Sequence, residues 1–456
     1  MSCGSPREKM PANILNLPDY KVLRVEETEH DYHIRTELAQ SPTHCPACGH
    51  ARLLRYGRNE QLVRDLSIHG KRVGIYVDTQ RWRCQACGKT FMETLPAVNA
   101  KREMTDRLVA WIGQQSLGRT FASIAEDIGL DEKTIRNIFR DYVNELQKAV
   151  RFETPTWMGI DEIHIIKPRC VISNLRSNTI VDLLPNRDKK TVINYLGNLD
   201  GRHQVQTVAM DMWAPYRDAV QAVMPNACIV IDKFHVVRMA NDAVEKVRKS
   251  LRESLMPKER RGLMHDRFIL LKRERDLNDK ERLLLSGWTA NYPELGEAYR
   301  LKEAFYGVYE GMGTHDQALA RYAAWHRSVT PEVRDAFADL IRAFTNWQPQ
   351  ILAYFEHPVT SAYTESLNSL IRVMNRLGRG YSFEALRAKI LFTEGVHNKT
   401  KPKFRRREAE PTVGYAMFEM VGGASLGQDQ HEEVEAAKNY GADISTLARL
   451  IEGGNL

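Results

Sequence analysis

Residues 157–166 read Trp157-Met158-Gly159-Ile160-Asp161-Glu162-Ile163-His164-Ile165-Ile166, an apolar run with a carboxylate near its centre. The run predicts a buried strand. Ionised carboxylates are almost never buried without a partner or a metal. Two more acids end similar runs: Asp211 follows Val208-Ala209-Met210, and Asp232 follows Ile229-Val230-Ile231. Acids that converge at strand ends can hold divalent cations.

The sequence around this run alternates between strand and helix patterns. We predict strands at 157–166, 169–175, 179–184, 204–211 and 227–232, and helices at about 188–199 and 214–223. A three-strand meander followed by two strand–helix units is the chain order of the ribonuclease-H-like fold. The first and fourth strands are neighbours in that fold, so we expect Asp161 and Asp211 to face each other. Such a pair repels unless cations lie between them, which favours two Mg(II) ions.

Asp232 is an alternative to Asp211 as the second metal ligand. Strand order argues against it, because the fifth strand lies one place further from the first. Asp232 and His235 are therefore expected to support the site, by orienting it or by contacting DNA.

The third acid is expected on a helix packed against the same edge of the sheet. The best candidate is Glu365, in the stretch Tyr363-Thr364-Glu365-Ser366-Leu367-Asn368. Asn368 and Arg372 follow at i+3 and i+7, so the three side chains share a helix face suited to a metal and a phosphate. The local pattern leaves an alternative, an acid favoured at a helix start by the macrodipole.

Two Cys-x-x-Cys pairs have matching form, Cys45-Pro46-Ala47-Cys48-Gly49 and Cys84-Gln85-Ala86-Cys87-Gly88. Each places two thiolates on a tight turn in which glycine supplies backbone freedom. Four thiolates suit tetrahedral Zn(II), and the spacing of the pairs leaves room for a strand hairpin. We predict a zinc-ribbon-like domain with Cys45, Cys48, Cys84 and Cys87 as ligands. Unrelated turn cysteines and a redox site are the alternatives.

Residues 120–139 have the pattern of a helix-turn-helix. Gly129 supplies the turn, Asp131 can cap the second helix, and isoleucines are spaced to pack the two helices together. The second helix is expected to fit the major groove of DNA. Its side chains on or near the exposed face are Lys133, Thr134, Arg136, Asn137 and Arg140. A plain helical hairpin is the alternative.

Bulk properties limit the class of protein. A length of 456 residues favours two to four domains. The net charge is +7, and basic stretches at 246–275 and 399–407 could follow a DNA backbone or be solvated surface. No apolar run approaches the length of a membrane span, and the N-terminus lacks a signal-peptide pattern. We therefore expect a cytoplasmic protein without membrane partners.

In combination, these motifs resemble bacterial insertion-sequence transposases of the ISL3 family. The resemblance covers roughly residues 40–395. It rests on Gly159-Ile160-Asp161-Glu162, Met210-Asp211-Met212-Trp213-Ala214-Pro215-Tyr216, Asp232-Lys233-Phe234-His235-Val236-Val237 and Thr364-Glu365-Ser366-Leu367-Asn368. It implies that Asp161, Asp211 and Glu365 are a DDE catalytic triad that binds two Mg(II) or Mn(II) ions. It also matches Asp232 and His235 to an Asp-x-x-His signature.

The expected fold class is multidomain, α+β and α/β. The expected domains are N-terminal strands with the zinc-binding domain at 1–98, a helix-turn-helix domain at 99–150, the first part of an RNase-H-like catalytic domain at 151–237, an all-helical insertion at 238–357, the final catalytic helices with the glutamate at 358–400, and a basic segment with a C-terminal tail at 401–456.

The resemblance implies a DNA transposase that binds the terminal inverted repeats of an insertion sequence. It would cut DNA strands with water and join 3′-hydroxyls to target DNA. Family members act as oligomers on paired ends, so at least a dimer is expected, associated with the nucleoid when bound to DNA. The alternatives are a zinc-containing transcription regulator, which leaves the acidic strands without a purpose, and a related nuclease without strand transfer.

Overall fold

The N-terminal part of the chain forms a five-stranded sheet. The structure is a computed structural model and describes residues 15–150, 153–252, 254–310 and 313–394. The strands are β1 (Tyr20–Glu27), β2 (Asp31–Leu38), β3 (Leu53–Ile68), β4 (Lys71–Cys84) and β5 (Thr90–Met92), in the order β1-β2-β4-β3 with β5 beside β4. β2 and β4 are parallel, and the other pairs are antiparallel. β1 and β2 form an antiparallel hairpin, with a shift of register between Val22 and Arg24.

Three helices follow, α1 (Asp106–Gly118), α2 (Phe121–Ile128) and α3 (Glu132–Ala149). Each begins at a capping side chain: Thr105, Thr120 and Asp131 accept hydrogen bonds from backbone N–H groups of the first turn. Gly129 has φ +70° and provides the left-handed turn between α2 and α3. Their isoleucines are buried together, so the predicted helix-turn-helix geometry is present, with α1 as a third packed helix.

A second five-stranded sheet lies at the centre of the protein. Its elements are β6 (Trp157–Ile165), β7 (Lys167–Asn174), β8 (Thr179–Leu184), α4 (Lys189–Gly197), β9 (Thr207–Met210), α5 (Ala214–Val223) and β10 (Cys228–Ile231). The order is β10-β9-β6-β7-β8, with β6, β9 and β10 parallel and β7 antiparallel to its neighbours. The first and fourth strands are therefore neighbours, as the sequence predicts. The fourth begins later than predicted because residues 202–204 form a 3₁₀ turn.

The described residues from 233 to 355 form helices and their connections, without a strand. The helices are α6 (Lys233–Leu251), α7 (Pro257–His265), α8 (Arg267–Leu271), α9 (Asp279–Asn291), α10 (Pro293–Glu310), α11 (His315–Arg327) and α12 (Arg334–Leu352). α6 packs against α10 and α12, and α12 also contacts β10. One continuous apolar core joins these helices to α4, α5 and one face of the central sheet.

Two last helices, α13 (Ala362–Leu377) and α14 (Phe383–Glu394), cover the opposite face of the sheet. Because helices cover both faces, β6 is buried along most of its length rather than at alternate residues. Gly159 lets α13 approach β6 closely. A Cβ atom at this position would meet the Ser173 hydroxyl and lie 3.0 Å from Thr364 Oγ1. These two hydroxyls are hydrogen-bonded at 2.7 Å beneath the helix.

All described residues belong to one compact unit. The expected basic segment and tail at 401–456 lie outside the described residues. Along the described part of the chain, no helix has both the length and the apolarity that crossing a membrane requires.

Candidate functional site

Asp161 lies on β6 with its side chain buried between the sheet and α13. The residue is 6% exposed. Its Oδ2 accepts a hydrogen bond of 2.7 Å from the Asn368 amide, and its Oδ1 accepts one of 2.6 Å from the Glu162 backbone N–H. Burial, followed by the charge of Asp211, raises the pKa of Asp161 to about 7. A carboxylate this strongly perturbed favours either a proton or a nearby cation.

Asp211 follows the last residue of β9 and lies beside Asp161. Ile160 pairs with Met210 across the parallel strands, so the next residue of each strand is an acid. His235 Nε2 lies 2.6 Å from Asp211 Oδ1, which is within ion-pair distance. The ring N–H is not aligned for a hydrogen bond to this oxygen. Burial would lower the pKa of His235, but the contact with Asp211 outweighs it and raises that pKa. The imidazole therefore offsets part of the charge of the two aspartates.

Glu365 projects from the first turn of α13 and is half-buried. Burial raises its pKa; the charge of His235 opposes this increase, while those of Asp232 and Asp211 add to it. The glutamate therefore faces the same site as the two aspartates. Among the described residues, three or more potential ligand atoms lie within 4.8 Å of one another only at the cysteines. The three acids thus share a site without forming a closed set of ligands.

The Asp232 side chain links the end of β10 to the start of α13 through hydrogen bonds. It is 1% exposed, and its Oδ1 accepts a hydrogen bond from the Phe234 backbone N–H at 2.9 Å. Its Oδ2 accepts two more from Ser361, at 2.5 Å from the backbone N–H and 2.6 Å from the hydroxyl. Both carboxylate oxygens are occupied, which favours the supporting role over direct metal binding. The contact fixes the helix that carries Glu365.

Asn368 and Arg372 have different environments although they share a helix face. Asn368 is buried; its amide nitrogen contacts Asp161, and its Oδ1 is buried with no hydrogen-bond partner. Arg372 is exposed on the next turn. The structure therefore brings Asn368, but not Arg372, into contact with the acids.

Arg187 lies at the same edge of the sheet and carries no motif that would reveal it in the sequence. Its guanidinium forms an ion pair with Glu162 and lies 4.3 Å from the centre of the Trp213 ring. Glu162 points away from Asp161 because strand side chains alternate, so the pair flanks the acids on the α5 side. Only the packing of three separate segments identifies this arginine.

The four cysteines form a compact cluster at the end of β4. Cys45 Sγ lies 3.8 Å from Cys87 Sγ, and Cys48 Sγ lies 3.6 Å from Cys84 Sγ. A tetrahedral zinc ion with bonds of about 2.3 Å places its sulfurs about 3.8 Å apart, whereas a disulfide needs about 2.05 Å. The donor set and spacing therefore fit Zn(II), and the predicted ligands are brought together as expected.

Two matching turns shape this cluster. Gly49 and Gly88 have φ of +71° and +68°, and their N–H groups donate to the Cys45 and Cys84 carbonyls. In the second turn, the backbone N–H groups of Cys87 and Ala86 also contact the Cys84 thiol. The backbone N–H of Cys87 is the main cause that lowers the pKa of Cys84 to about 6. A thiol of this acidity is readily available as a thiolate ligand.

The predicted DNA-contacting residues of α3 divide into two groups. Lys133, Arg136 and Arg140 are exposed, and Thr134 and Asn137 are partly buried. Thr134 is engaged in the cap, because its hydroxyl donates to Asp131 at 2.6 Å. Arg136 pairs with Glu132 on the same helix. Arg136, Asn137 and Arg140 also line a cavity of about 910 Å³ that α14 borders, so this face lies partly toward the rest of the protein.

Comparison with known proteins identifies three regions. A family model described as "Transposase", the catalytic-region model of the ISL3 family, matches residues 158–390. A model described as the zinc-finger of transposase IS204/IS1001/IS1096/IS1165 matches residues 41–87. A model of the helix-turn-helix domain of transposase family ISL3 matches residues 93–143. The matches contain the acidic site, the cysteine cluster and the paired helices respectively.

Two curated relatives are similar over most of their length. The transposase for insertion sequence element IS1001 of Bordetella parapertussis is 24% identical over 348 residues, covering 74% of this chain and 85% of the relative. The transposase for insertion sequence element IS1557 of Mycobacterium tuberculosis is 26% identical over 328 residues, covering 65% and 72% respectively.

Proposed function

Because the chain belongs to the ISL3 family of insertion-sequence transposases, we propose that it cuts DNA at the terminal inverted repeats of an insertion sequence and joins the ends to target DNA. The pairing of Asp161 with Asp211 across the parallel strands β6 and β9 carries this proposal. Neither a transcription regulator nor a simple DNA-binding protein needs two destabilising carboxylates side by side.

The proposed fold of the catalytic region is RNase-H-like. The observed order β10-β9-β6-β7-β8 supports it, because the fourth strand in the chain lies beside the first. The helices α6–α12 would then be an insertion between the fifth strand and the helix of Glu365.

The acids fit hard divalent cations. Carboxylate oxygens are the ligands that Mg(II) prefers, and burial together with the charge of Asp211 raises the pKa of Asp161, which favours a cation beside it. Asp161, Asp211 and Glu365 would hold two Mg(II) or Mn(II) ions. Bound there, these ions would activate the attacking oxygen and stabilise the leaving oxygen of an in-line displacement.

The other residues of the site position these acids. The Asn368 amide holds one oxygen of Asp161, and His235 contacts one oxygen of Asp211. Asp232 fixes the start of the helix that bears Glu365. In the first step water would attack a phosphodiester, break the P–O3′ bond and release a 3′-hydroxyl. In the second, that hydroxyl would attack a phosphodiester of target DNA and release another 3′-hydroxyl.

The remaining modules would recognise DNA. We propose that Zn(II) on Cys45, Cys48, Cys84 and Cys87 stabilises the N-terminal domain and that α3 contacts the terminal repeats through Lys133, Arg140 and their neighbours. Recognition of two ends requires at least a dimer, which would form on the paired ends.

The test uses labelled duplexes that carry the ends of the element, with Mg(II) and a target plasmid. We expect Asp161→Asn, Asp211→Asn and Glu365→Gln each to lower cleavage and joining more than about 100-fold while end binding persists. Asp218→Asn, a surface acid paired with Lys189, is the matched control and should retain activity. Retained cleavage in Asp161→Asn would contradict the catalytic assignment and favour a regulator. Cleavage without joined products would favour a nuclease.

A further inference from the structure

The tryptophans of the helical region are engaged in packing. Trp325 and Trp347 are buried in the main core. The indole N–H of Trp288 donates to Asp266 at 2.9 Å, and its ring stacks on Tyr292. These rings therefore have little free face to offer a nucleic-acid base.

Phe234, unlike these tryptophans, has an exposed ring. It is 50% exposed although it is a large apolar residue at the start of a helix whose next residue but one, Val236, is fully buried. Its backbone N–H is held by Asp232, so the ring projects from a fixed point. Exposing an aromatic ring has a free-energy cost that local packing here does not explain.

The position of Phe234 links it to the acidic site. Its ring lies edge-to-face with the His235 imidazole at a centroid distance of 6.1 Å. The same imidazole is 2.6 Å from the Asp211 carboxylate. A phosphodiester held at the acids would therefore place its adjoining nucleotide near the Phe234 ring.

Two cations lie on either side of Phe234 along α6. Lys233 and Arg238 are exposed on the first turns of α6. Lys233 lies 5.4 Å from the centre of the Tyr354 ring, and Arg238 follows Phe234 by one helical turn. An aromatic face between cations is the combination that binds single-stranded nucleic acid, because bases stack while phosphates pair with the charges.

Only an unpaired base can use such a face. Bases within a duplex present their edges, since their faces are covered by neighbouring base pairs. We infer that Phe234 stacks on a DNA base unpaired next to the scissile phosphate, while Lys233 and Arg238 bind the adjoining phosphates. This inference rests on the proposed function, and it adds a residue that positions the DNA rather than one that reacts.

The first experiment places the fluorescent base 2-aminopurine on either side of the cut in end duplexes. Binding to protein carrying Asp161→Asn, which leaves the DNA intact, should change the fluorescence as the base leaves the stack. Adding Phe234→Ala should abolish the change, and Phe234→Tyr should preserve it. Phe268→Ala is the matched control, because Phe268 is also exposed, at 67%, and lies near a cation, Arg267.

The second experiment measures cleavage in the otherwise wild-type chain. Phe234→Ala should cut paired ends about 10-fold more slowly or worse, as loss of a base–aromatic stack implies. Ends with a mismatch at the same position should restore most of that rate, because the DNA no longer has to be unpaired. Lys233→Gln and Arg238→Gln should each reduce the salt dependence of end binding.

The outcomes separate this inference from the proposed function. If the wild-type chain cuts and Phe234→Ala cuts paired ends equally well, the stacking role is wrong while the transposase proposal stands. The stacking role is also wrong if Phe234→Ala cuts paired ends more slowly and mismatched ends do not restore the cleavage rate. The same holds if the slower cleavage accompanies a change in oligomeric state. If the wild-type chain cuts neither kind of end, the proposed function itself fails.

Discussion

Asp161 is the residue at which burial and charge conflict most directly. It is almost fully buried beside a second carboxylate, yet its hydrogen bonds come only from one amide and one backbone N–H. The histidine at Asp211 offsets the negative charge only in part, because the pKa of Asp161 remains raised to about 7. A site tolerates this conflict when a ligand of opposite charge resolves it.

The raised pKa of Asp161 predicts how the stability of the metal-free protein depends on pH. The pKa of Asp161 is about 7 in the folded chain, against an ordinary value of 3.8. The folded state therefore binds more protons between these values, and stability falls as pH rises through this window. At pH 8 in EDTA, Asp161→Asn should raise the free energy of unfolding by about 2–4 kcal/mol, with a smaller gain at pH 5.

Chemical denaturation at the two pH values measures this difference. Asp218→Asn is the control, since an exposed ion pair contributes little and its loss should not be stabilising. Adding Mg(II) should stabilise the wild-type chain and leave Asp161→Asn nearly unchanged. Equal stability of Asp161→Asn and wild type at pH 8 would show that the buried Asp161 carboxylate does not destabilise the folded chain.

At the scale of elements, close packing between β6 and α13 decides the geometry of the site. The side chains of Asn368 and Glu365 reach the aspartates only because the helix lies directly on the strand at Gly159. Asp232 and Ser361 anchor the N-terminal end of the same helix. We therefore expect the cleavage rate to depend on the distance between α13 and β6.

Gly159→Ala tests this distance. The added methyl group would collide with the Ser173 hydroxyl and with Thr364, so it should push α13 outward. We expect a loss of about 1–3 kcal/mol of stability and a larger fractional loss of cleavage. Gly287→Ala in α9 meets no atom within 4 Å and should be neutral or stabilise by up to about 1 kcal/mol. Thermal melts and cleavage rates compare the two; unchanged cleavage in Gly159→Ala would refute the argument.

The four cysteines of the proposed zinc site lie at the far end of β4. Cys45→Ser should remove the bound metal and destabilise the N-terminal sheet, because metal binding and folding are coupled in such sites. Metal analysis of protein purified without added metal should find about one zinc per wild-type chain and much less in the variant. Cys228→Ser, outside the cluster, should keep the zinc. Wild-type protein without zinc would contradict the assignment.

At the scale of the whole molecule, the helix-turn-helix is joined to the catalytic region through Lys389. This lysine of α14 is 1% exposed and donates to the Arg119 carbonyl at 2.8 Å and to the Ser116 carbonyl, both at the end of α1. The rings of Phe121, Tyr381 and Phe139 surround its ammonium at 4.6–5.2 Å. The helix-turn-helix and the region that contains the acidic site thus share one packed junction.

Lys389→Ala should loosen this junction. It removes the donor from two helix-terminal carbonyls and leaves a cavity between the rings, which together cost about 3 kcal/mol or more. Limited proteolysis should cut near residues 150–156 faster than in the wild-type chain. Lys190→Ala, an exposed lysine on α4, should be cut at the wild-type rate. Equal rates for all three chains would show that Lys389 does not join the regions.

Local pattern determined much of this protein. The central strands, the caps of α2 and α3, the turn at Gly129 and the four cysteine positions follow from periodicity, turn chemistry and spacing, because each depends on residues close in the chain. The proximity of Asp161 to Asp211 also followed, because the predicted strand order makes their strands neighbours.

Tertiary structure alone decided the rest. It bound one oxygen of Asp232 to Ser361, left Arg372 exposed, placed Arg187 beside Glu162 and left Phe234 half exposed. These outcomes depend on contacts between segments up to 129 positions apart. Sequence periodicity shows which face of an element is buried. What covers that face, and at what distance, depends on how all the elements pack together.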